Sequence, residues 1–211
     1  ECEIDVIHNF IDSSRGQKED WNCTREQYAP NGEFILMHAS NFRPVKRVTD
    51  VVRVFARVRS EIPAKLLLIG EGPDRIMTQQ VVKELGLKND VIFLGQVDFI
   101  DDLLRCADLF LLPSEQESFG LAALEAMNCE APVIGAITGG MPEVVSHGEN
   151  GFLFQVGEIA EMANACIQLL KNPEQLKTFR QNARKSAIDN FSIEVIMPQW
   201  LEFYEKVLGG D

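Results

Sequence analysis

The chain has 211 residues, 45% of them apolar, which is enough to bury a full core within one domain. Its formal net charge of −12 excludes general binding to nucleic acid or anionic membranes, because the field of the whole molecule repels both. Five cysteines (Cys2, Cys23, Cys106, Cys129, Cys166) lack CxxC spacing, and their odd number leaves no complete disulfide framework, so free thiols, a reducing compartment and a cytoplasmic location are expected. In chain order, the first run is ECEIDVIHNFID, which opens on Glu1 and reads as entered in mid-phrase; further residues upstream are expected. Short apolar runs then predict strands at Phe34–Ala39, Leu66–Ile69, Val91–Leu94, Leu109–Leu112, Pro132–Ile134 and Phe152–Phe154. Between them, helical periodicity predicts helices at Val48–Ser60, Ile76–Leu85, Ile100–Cys106, Phe119–Asn128 and Pro142–Val145. This alternation predicts an α/β fold, a doubly wound parallel sheet of Rossmann-like type. Three helices without intervening strands follow, at Glu158–Leu170, Glu174–Asn190 and Ile193–Leu208, and are expected to cap the sheet, the last kinked at Pro198. No apolar run approaches the roughly 18 residues that a membrane span requires.

Ligands of such sheets collect at the carboxyl ends of the strands, so the loops beginning at Ser40, Gly70, Gly95, Pro113, Gly135 and Gln155 are the places to look. The loop after the fourth strand carries SEQESFGLAALEAM, with Glu117 and Glu125 eight positions apart. With Ser118 as N-cap and Phe119 opening the helix, the two acids stand about 12 Å apart along the axis. That is too far for the paired carboxylates of a retaining glycosidase, which need roughly 5 Å. It suits two hydroxyl-bearing ends of one extended ligand, with the backbone N–H groups near Ser118, Phe119 and Gly120 forming an anion site between them. The alternative is a solvated Glu117 and a Glu125 paired with a buried lysine or arginine.

After the first strand, HASNFRPVKRVTD brings Arg43 and Lys46 within reach of a phosphate, whereas Arg47, Arg53, Arg57 and Arg59 read as a solvated basic helix. GEGPD and GGMPE are Gly/Pro turns, neither is GxGxxG, and in a phosphate site Gly139 and Gly140 of the second would let an anion or sugar approach the backbone closely. His8, His38 and His147 lack metal-ligand spacing and no DxD is present; His38 reads first as a core residue. Metal-free binding is therefore expected, with Lys46, Arg43 and the helix N-terminus offsetting the ligand's charge.

Taken together, NFID, GEGPD, FLG, LFLLPSEQESFGLAALEAM, GGMPEVV and NGFLF resemble the C-terminal domain of the retaining, glycogen-synthase-like GT-B glycosyltransferases over nearly the whole chain. The resemblance implies a donor-binding domain at residues 13–190, the end of an interdomain hinge at 1–12 and, at 191–211, a kinked helix crossing to an N-terminal domain that lies outside this chain. It implies Glu117 on the donor sugar's hydroxyls, Glu125 on the ribose, and Lys46 on the diphosphate. Gln96 and Val97 match the segment that receives the base, and Asn41, Arg43, Gly70, Ser118, Phe119, Gly120 and Leu121 complete the implied donor site. Glu117 and Lys46 are the implied catalytic pair. Ser40-Asn41 stands where the family usually carries Gly-Arg, so Arg43 is expected to supply the missing charge. HNFID with SNFRPVKRV resembles, more narrowly, the enzymes of bacillithiol biosynthesis that transfer GlcNAc from UDP-GlcNAc to L-malate. By that resemblance there is no cofactor and no metal, the donor is a UDP-sugar, and the acceptor L-malate is held by the other domain. The fragment alone is then expected to be inactive. A different acceptor, a non-catalytic nucleotide-sugar binding module and an unrelated flavodoxin-like domain stay open as alternatives, as does homo-oligomerisation.

Overall fold

The computed structural model describes residues 5–16 and 25–209. Six strands, β1 (Phe34–Ala39), β2 (Ala64–Ile69), β3 (Val91–Gly95), β4 (Leu109–Leu112), β5 (Val133–Ala136) and β6 (Gly151–Phe154), form one sheet in the order β3-β2-β1-β4-β5-β6. Every pairing is parallel. All six lie where the apolar runs predict them, apart from small differences at their ends. Parallel strands are buried on both faces, which is why they read as unbroken apolar runs.

Alternate strand residues serve two separate cores. Leu36, Leu66, Leu68, Leu109, Leu111 and Ile134 pack under α2 (Val48–Glu61), α3 (Arg75–Glu84) and α7 (Ile159–Leu170). Met37, Leu67, Ile69, Phe110, Leu112 and Val133 pack under α4 (Asp101–Leu104), α5 (Leu121–Asn128) and α8 (Pro173–Phe191). The cap expected of α7 and α8 is divided between the two faces: α7 covers the first, and α8 reaches both, with Leu176 and Phe179 in the first cluster and Ala183, Ala187 and Phe191 in the second, because a parallel sheet needs an apolar cover on each side. Ala183 and Ala187, fully buried on α8, permit its close approach to α5.

One charged cluster pins the amino edge. The Asp108 carboxylate, 9% exposed, accepts from Arg25 at 2.5 Å, from the Ile35 N–H at 2.8 Å and from Arg180 at 3.2 Å. It thereby fastens α1 (Arg25–Tyr28) and α8 to the start of β4. At the chain's other end, α9 (Ile193–Leu208) runs through Pro198 with only Ile196 buried. Ile11 is laced to its start: the Ile11 N–H donates to the Phe191 carbonyl and the Ile193 N–H to the Ile11 carbonyl, each at 2.9 Å.

The cysteines correct the expectation of free thiols throughout. Cys129 and Cys166 are buried free thiols, and burial pushes Cys129 up to about 12 and Cys166 upward as well, whereas Cys106 is disulfide-bonded. Cys2 and Cys23 lie outside the described residues. Among the described residues, no helix is long and apolar enough to cross a membrane.

Candidate functional site

The strand order reverses between β1 and β4, and the loops leaving their carboxyl ends part there to open a crevice. A cleft of about 280 Å³ lies at this point, lined by Ser40, Asn41 and Lys46 from the first loop and by Glu117 to Ala122 from the second, with Asn9 closing one side. A second hollow, of about 290 Å³, lies between residues 5–7 and α9, away from the strand ends.

The first loop makes a 3-10 turn at Pro44–Lys46, and Arg47 then adopts a left-handed conformation (φ 50°) to start α2. Arg47 pairs with Asp50 at 2.5 Å and lies 3.8 Å from Glu115; Arg53 pairs with Asp50 and Arg59 with Asp90. Arg47, Arg53 and Arg59 are thus engaged on the protein's own carboxylates, where the sequence reading has them solvated, and none of them lines the cleft. Lys46 differs: its Nζ points into the cleft and donates to Glu117 Oε1 at 2.6 Å. Arg43 is exposed and absent from the cleft lining.

In the second loop the helix begins later than expected. Gly120 (φ 97°) is the N-cap and α5 starts at Leu121, so Ser118 does not cap it and Phe119 lies outside it. A left-handed cap suits glycine, which has no Cβ to collide with the next carbonyl. Glu117 therefore sits on the loop, and the axial spacing of about 12 Å inferred for two helical acids does not apply. Among the described residues, the N–H groups of Ser118, Phe119 and Gly120 donate to no protein acceptor, and they precede the unpaired donors of the first helical turn.

Glu125 lies one turn along α5, half-buried, and its carboxylate makes no hydrogen bond or ion pair among the described residues. Burial, reinforced by the negative charge of Asp101, holds its carboxyl above the usual carboxylate range. The alternative of a partner lysine or arginine thus fails. His38 is fully buried, as its core reading requires, yet it also reaches the cleft wall: Nδ1 lies 2.8 Å from the Leu111 carbonyl oxygen and Nε2 lies 2.8 Å from Ser40 Oγ. Desolvation is the main cause that lowers its pKa to about 4, with Lys46 adding to the effect.

The two Gly/Pro turns support the cleft walls from behind. A Cβ on Gly139 would stand 1.6 Å from the Glu117 carbonyl oxygen, and one on Gly70 would stand 1.8 Å from that of Ser40. The Gly140 N–H donates to the Glu117 carbonyl at 3.2 Å, and Thr138 Oγ1 donates to that of Glu115 at 2.9 Å. The space into which a Cβ would project from these glycines is filled by the chain's own backbone.

Of the residues singled out in the sequence, the structure gathers Asn41, Lys46, Glu117, Ser118, Phe119, Gly120 and Leu121 in one cleft. Gly70 stands behind it, and Gln96 and Val97 follow β3 at the same carboxyl edge but outside the lining. Glu125 lies one turn deeper, near Asp101. Sequence reasoning missed Ser40 and Asn9. The signal for Ser40 was a histidine two residues before it on a buried strand, a spacing that puts both side chains on one face.

A doubly wound parallel sheet with a cleft where its strand order reverses is the architecture of the Rossmann-like half of a GT-B fold. The chain belongs to the glycosyl transferases group 1 family, whose model matches residues 21–186. It is 44% identical over 99% of its length to the N-acetyl-alpha-D-glucosaminyl L-malate synthase of Bacillus anthracis, of which it covers 55%. It is 29% identical to the putative glycosyltransferase EpsD of Bacillus subtilis over 85% of this chain and 47% of that one. Among solved structures, Anabaena HepE in complex with UDP-glucose aligns with 96% of this chain and 57% of its own, at 30% identity and a TM-score of 0.86. The chain spans about half the length of the curated relatives it matches. The C-terminal domain of LpcC from Francisella tularensis, 22% identical with a TM-score of 0.76, is covered over 99% of its length and shares the fold.

Proposed function

We propose that this chain is the donor-binding, C-terminal half of a retaining glycosyltransferase that moves GlcNAc from UDP-GlcNAc to L-malate, in the cytoplasm and on the route to bacillithiol. The observation that carries the reading is Glu125: a half-buried carboxylate, its pKa raised by burial and by Asp101 against the pull of Arg15, with no hydrogen-bond or ion-pair partner for its side chain among the described residues. A buried acid without a partner is unfavourable in the empty protein, and two ribose hydroxyls would satisfy it. At the other end of the cleft, Glu117 is held by Lys46 where it can accept from sugar hydroxyls. Between them, Lys46 and the free N–H groups from Ser118 onward offset a diphosphate without a metal. The exposed Arg43 adds charge only from the rim. Support for the donor comes from HepE, whose structure holds UDP-glucose, and for the acceptor from the Bacillus anthracis relative's name.

In this reading the acceptor attacks on the face from which UDP departs, the leaving phosphate taking the proton, while Lys46 steadies the growing negative charge and Glu117 orients the sugar. Such a reaction depends on holding both reactants at attack distance, an effect worth roughly 7 to 11 kcal/mol. The surface that holds L-malate is assigned to a second domain, so this chain alone binds the donor and transfers nothing. Calorimetric titration with UDP-, ADP- and GDP-sugars, with and without EDTA, tests the donor assignment. Preference for a UDP-sugar that survives chelation is the expected result. Loss of binding on chelation with recovery on Mg²⁺ or Mn²⁺, or GlcNAc-malate formed by this chain at the rate of the two-domain enzyme, would overturn it.

A further inference from the structure

The hydrogen-bond chain beneath the cleft fixes the polarity of one wall. The Leu111 carbonyl can only accept, so the His38 nitrogen 2.8 Å from it, Nδ1, carries the proton. A fully buried imidazole facing the Lys46 ammonium across the site is neutral, so Nε2 has no proton and must accept. Its partner at 2.8 Å is Ser40 Oγ, whose single hydrogen is therefore committed to the histidine. What Ser40 turns toward the cleft is a pair of lone pairs.

We propose that Ser40, oriented by His38, is a specificity residue that accepts a hydrogen bond from an O–H or N–H on the sugar part of the ligand and disfavours phosphate oxygen at that spot. The proposal rests on the donor-site reading above and deepens it. A hydroxyl free to rotate would serve either partner; one whose proton is taken reads donors only. A phosphate oxygen set against it would face lone pair with lone pair, so the diphosphate is steered toward Lys46 and the N–H groups of the second loop. His38 touches no ligand and acts as a positioning residue. Mutating it should release the Ser40 rotor.

The test compares UDP, UDP-glucose and UDP-GlcNAc on the wild type, Ser40→Ala, Ser40→Thr and His38→Gln. Ser40→Ala should leave UDP affinity unchanged and weaken both UDP-sugars by roughly threefold to tenfold, the worth of one neutral hydrogen bond. Ser40→Thr, which keeps the hydroxyl, should restore much of that loss. A deficit confined to UDP-GlcNAc would identify the acetamido N–H as the group read, and an equal deficit with UDP-glucose would identify a ring hydroxyl; both sustain the proposal. An equal loss for UDP itself would place Ser40 on the nucleotide and overturn it, as would no loss with any ligand. His38→Gln should narrow the gap between UDP-sugar and UDP with circular dichroism unchanged. Nitrogen-15 NMR of the His38 ring reads the polarity without any ligand: a protonated Nδ1 and bare Nε2 are expected, and the opposite tautomer sinks the inference. Failure of the wild type to bind any of the three nucleotides would remove the donor-site reading, and the ligand assignment with it, while the ring nitrogens still decide the orientation of Ser40.

Discussion

Alanine at position 139 should damage the cleft from behind, without changing any side chain that lines it. The added Cβ would stand 1.6 Å from the Glu117 carbonyl oxygen. An ordinary carbon–oxygen contact is about 3.3 Å, so the two must separate by roughly 1.7 Å. Forcing an L side chain into the left-handed region at φ 50° costs about 1–2 kcal/mol, and overpacking adds about 1–3 kcal/mol. Gly86 provides the control, since it also has positive φ (72°) but its Cβ would meet nothing within 4 Å. Gly86→Ala should therefore lose about 1–2 kcal/mol and Gly139→Ala about 2–5 kcal/mol, a difference readable in urea denaturation. Displacing Glu117 by that distance breaks its 2.6 Å bond to Lys46, so donor affinity should fall about tenfold to hundredfold in Gly139→Ala and not at all in Gly86→Ala. Equal destabilisation by the two substitutions, with unchanged donor affinity in both, would refute the argument.

Three other substitutions probe separate groups. Glu125→Gln should weaken UDP binding by on the order of 2 kcal/mol in calorimetry yet stabilise the fold. Because burial raises the Glu125 pKa, the folded state holds its proton more tightly than the unfolded chain; that contribution is full below the unfolded value and is lost as pH rises through the folded one. The Gln variant's advantage in urea denaturation should accordingly grow from acid toward neutral pH, and a constant offset would contradict the account. Lys46→Met leaves Glu117, 11% exposed, without its partner; discounting the usual buried-pair value for partial exposure, about 2 kcal/mol of stability should go, together with most donor affinity. Asp108→Ala removes the carboxylate shared by Arg25, Arg180 and the Ile35 N–H, leaving Arg25 only its two carbonyl acceptors, and should lower stability by about 3–5 kcal/mol in the same denaturation, leaving donor affinity of the folded fraction intact.

The strands were legible because two-sided burial demands apolar side chains at every position, and runs such as FILMHA and LFLL have few other uses. The site's location followed, since strand ends and a reversal of order fix it topologically. Which face α7 and α8 cover was not legible, because an apolar stripe does not say which of two apolar sheet faces it meets. The start of α5 was misplaced for a local reason: Ser118 is a good cap by type, but Gly120 alone can take φ 97°. Arg43 and Lys46 are equally basic in sequence, and only the 3-10 turn between them turns Lys46 inward and leaves Arg43 in solvent. The Ser40 hydroxyl was not assigned to the site from sequence because a hydroxyl's significance depends on what holds its proton, and that partner, the Leu111–His38 pair, is assembled from two strands far apart in the chain.

The glycine turns behind the two cleft walls bear on how such a site can change over generations. At Gly139 and Gly70 backbone meets backbone, and any side chain would drive the wall inward. Lineages that drift to new sugars therefore have little freedom to remodel the loops themselves, since one substitution in either turn displaces the wall that every donor shares. Side chains standing on that frame, such as Ser40, Asn41 and Leu121, carry no such restriction and can be exchanged singly. New donor preferences in this lineage should then arise by swapping side chains over an unaltered main chain, and comparison of descendants should show variable residues sitting directly in front of invariant glycines.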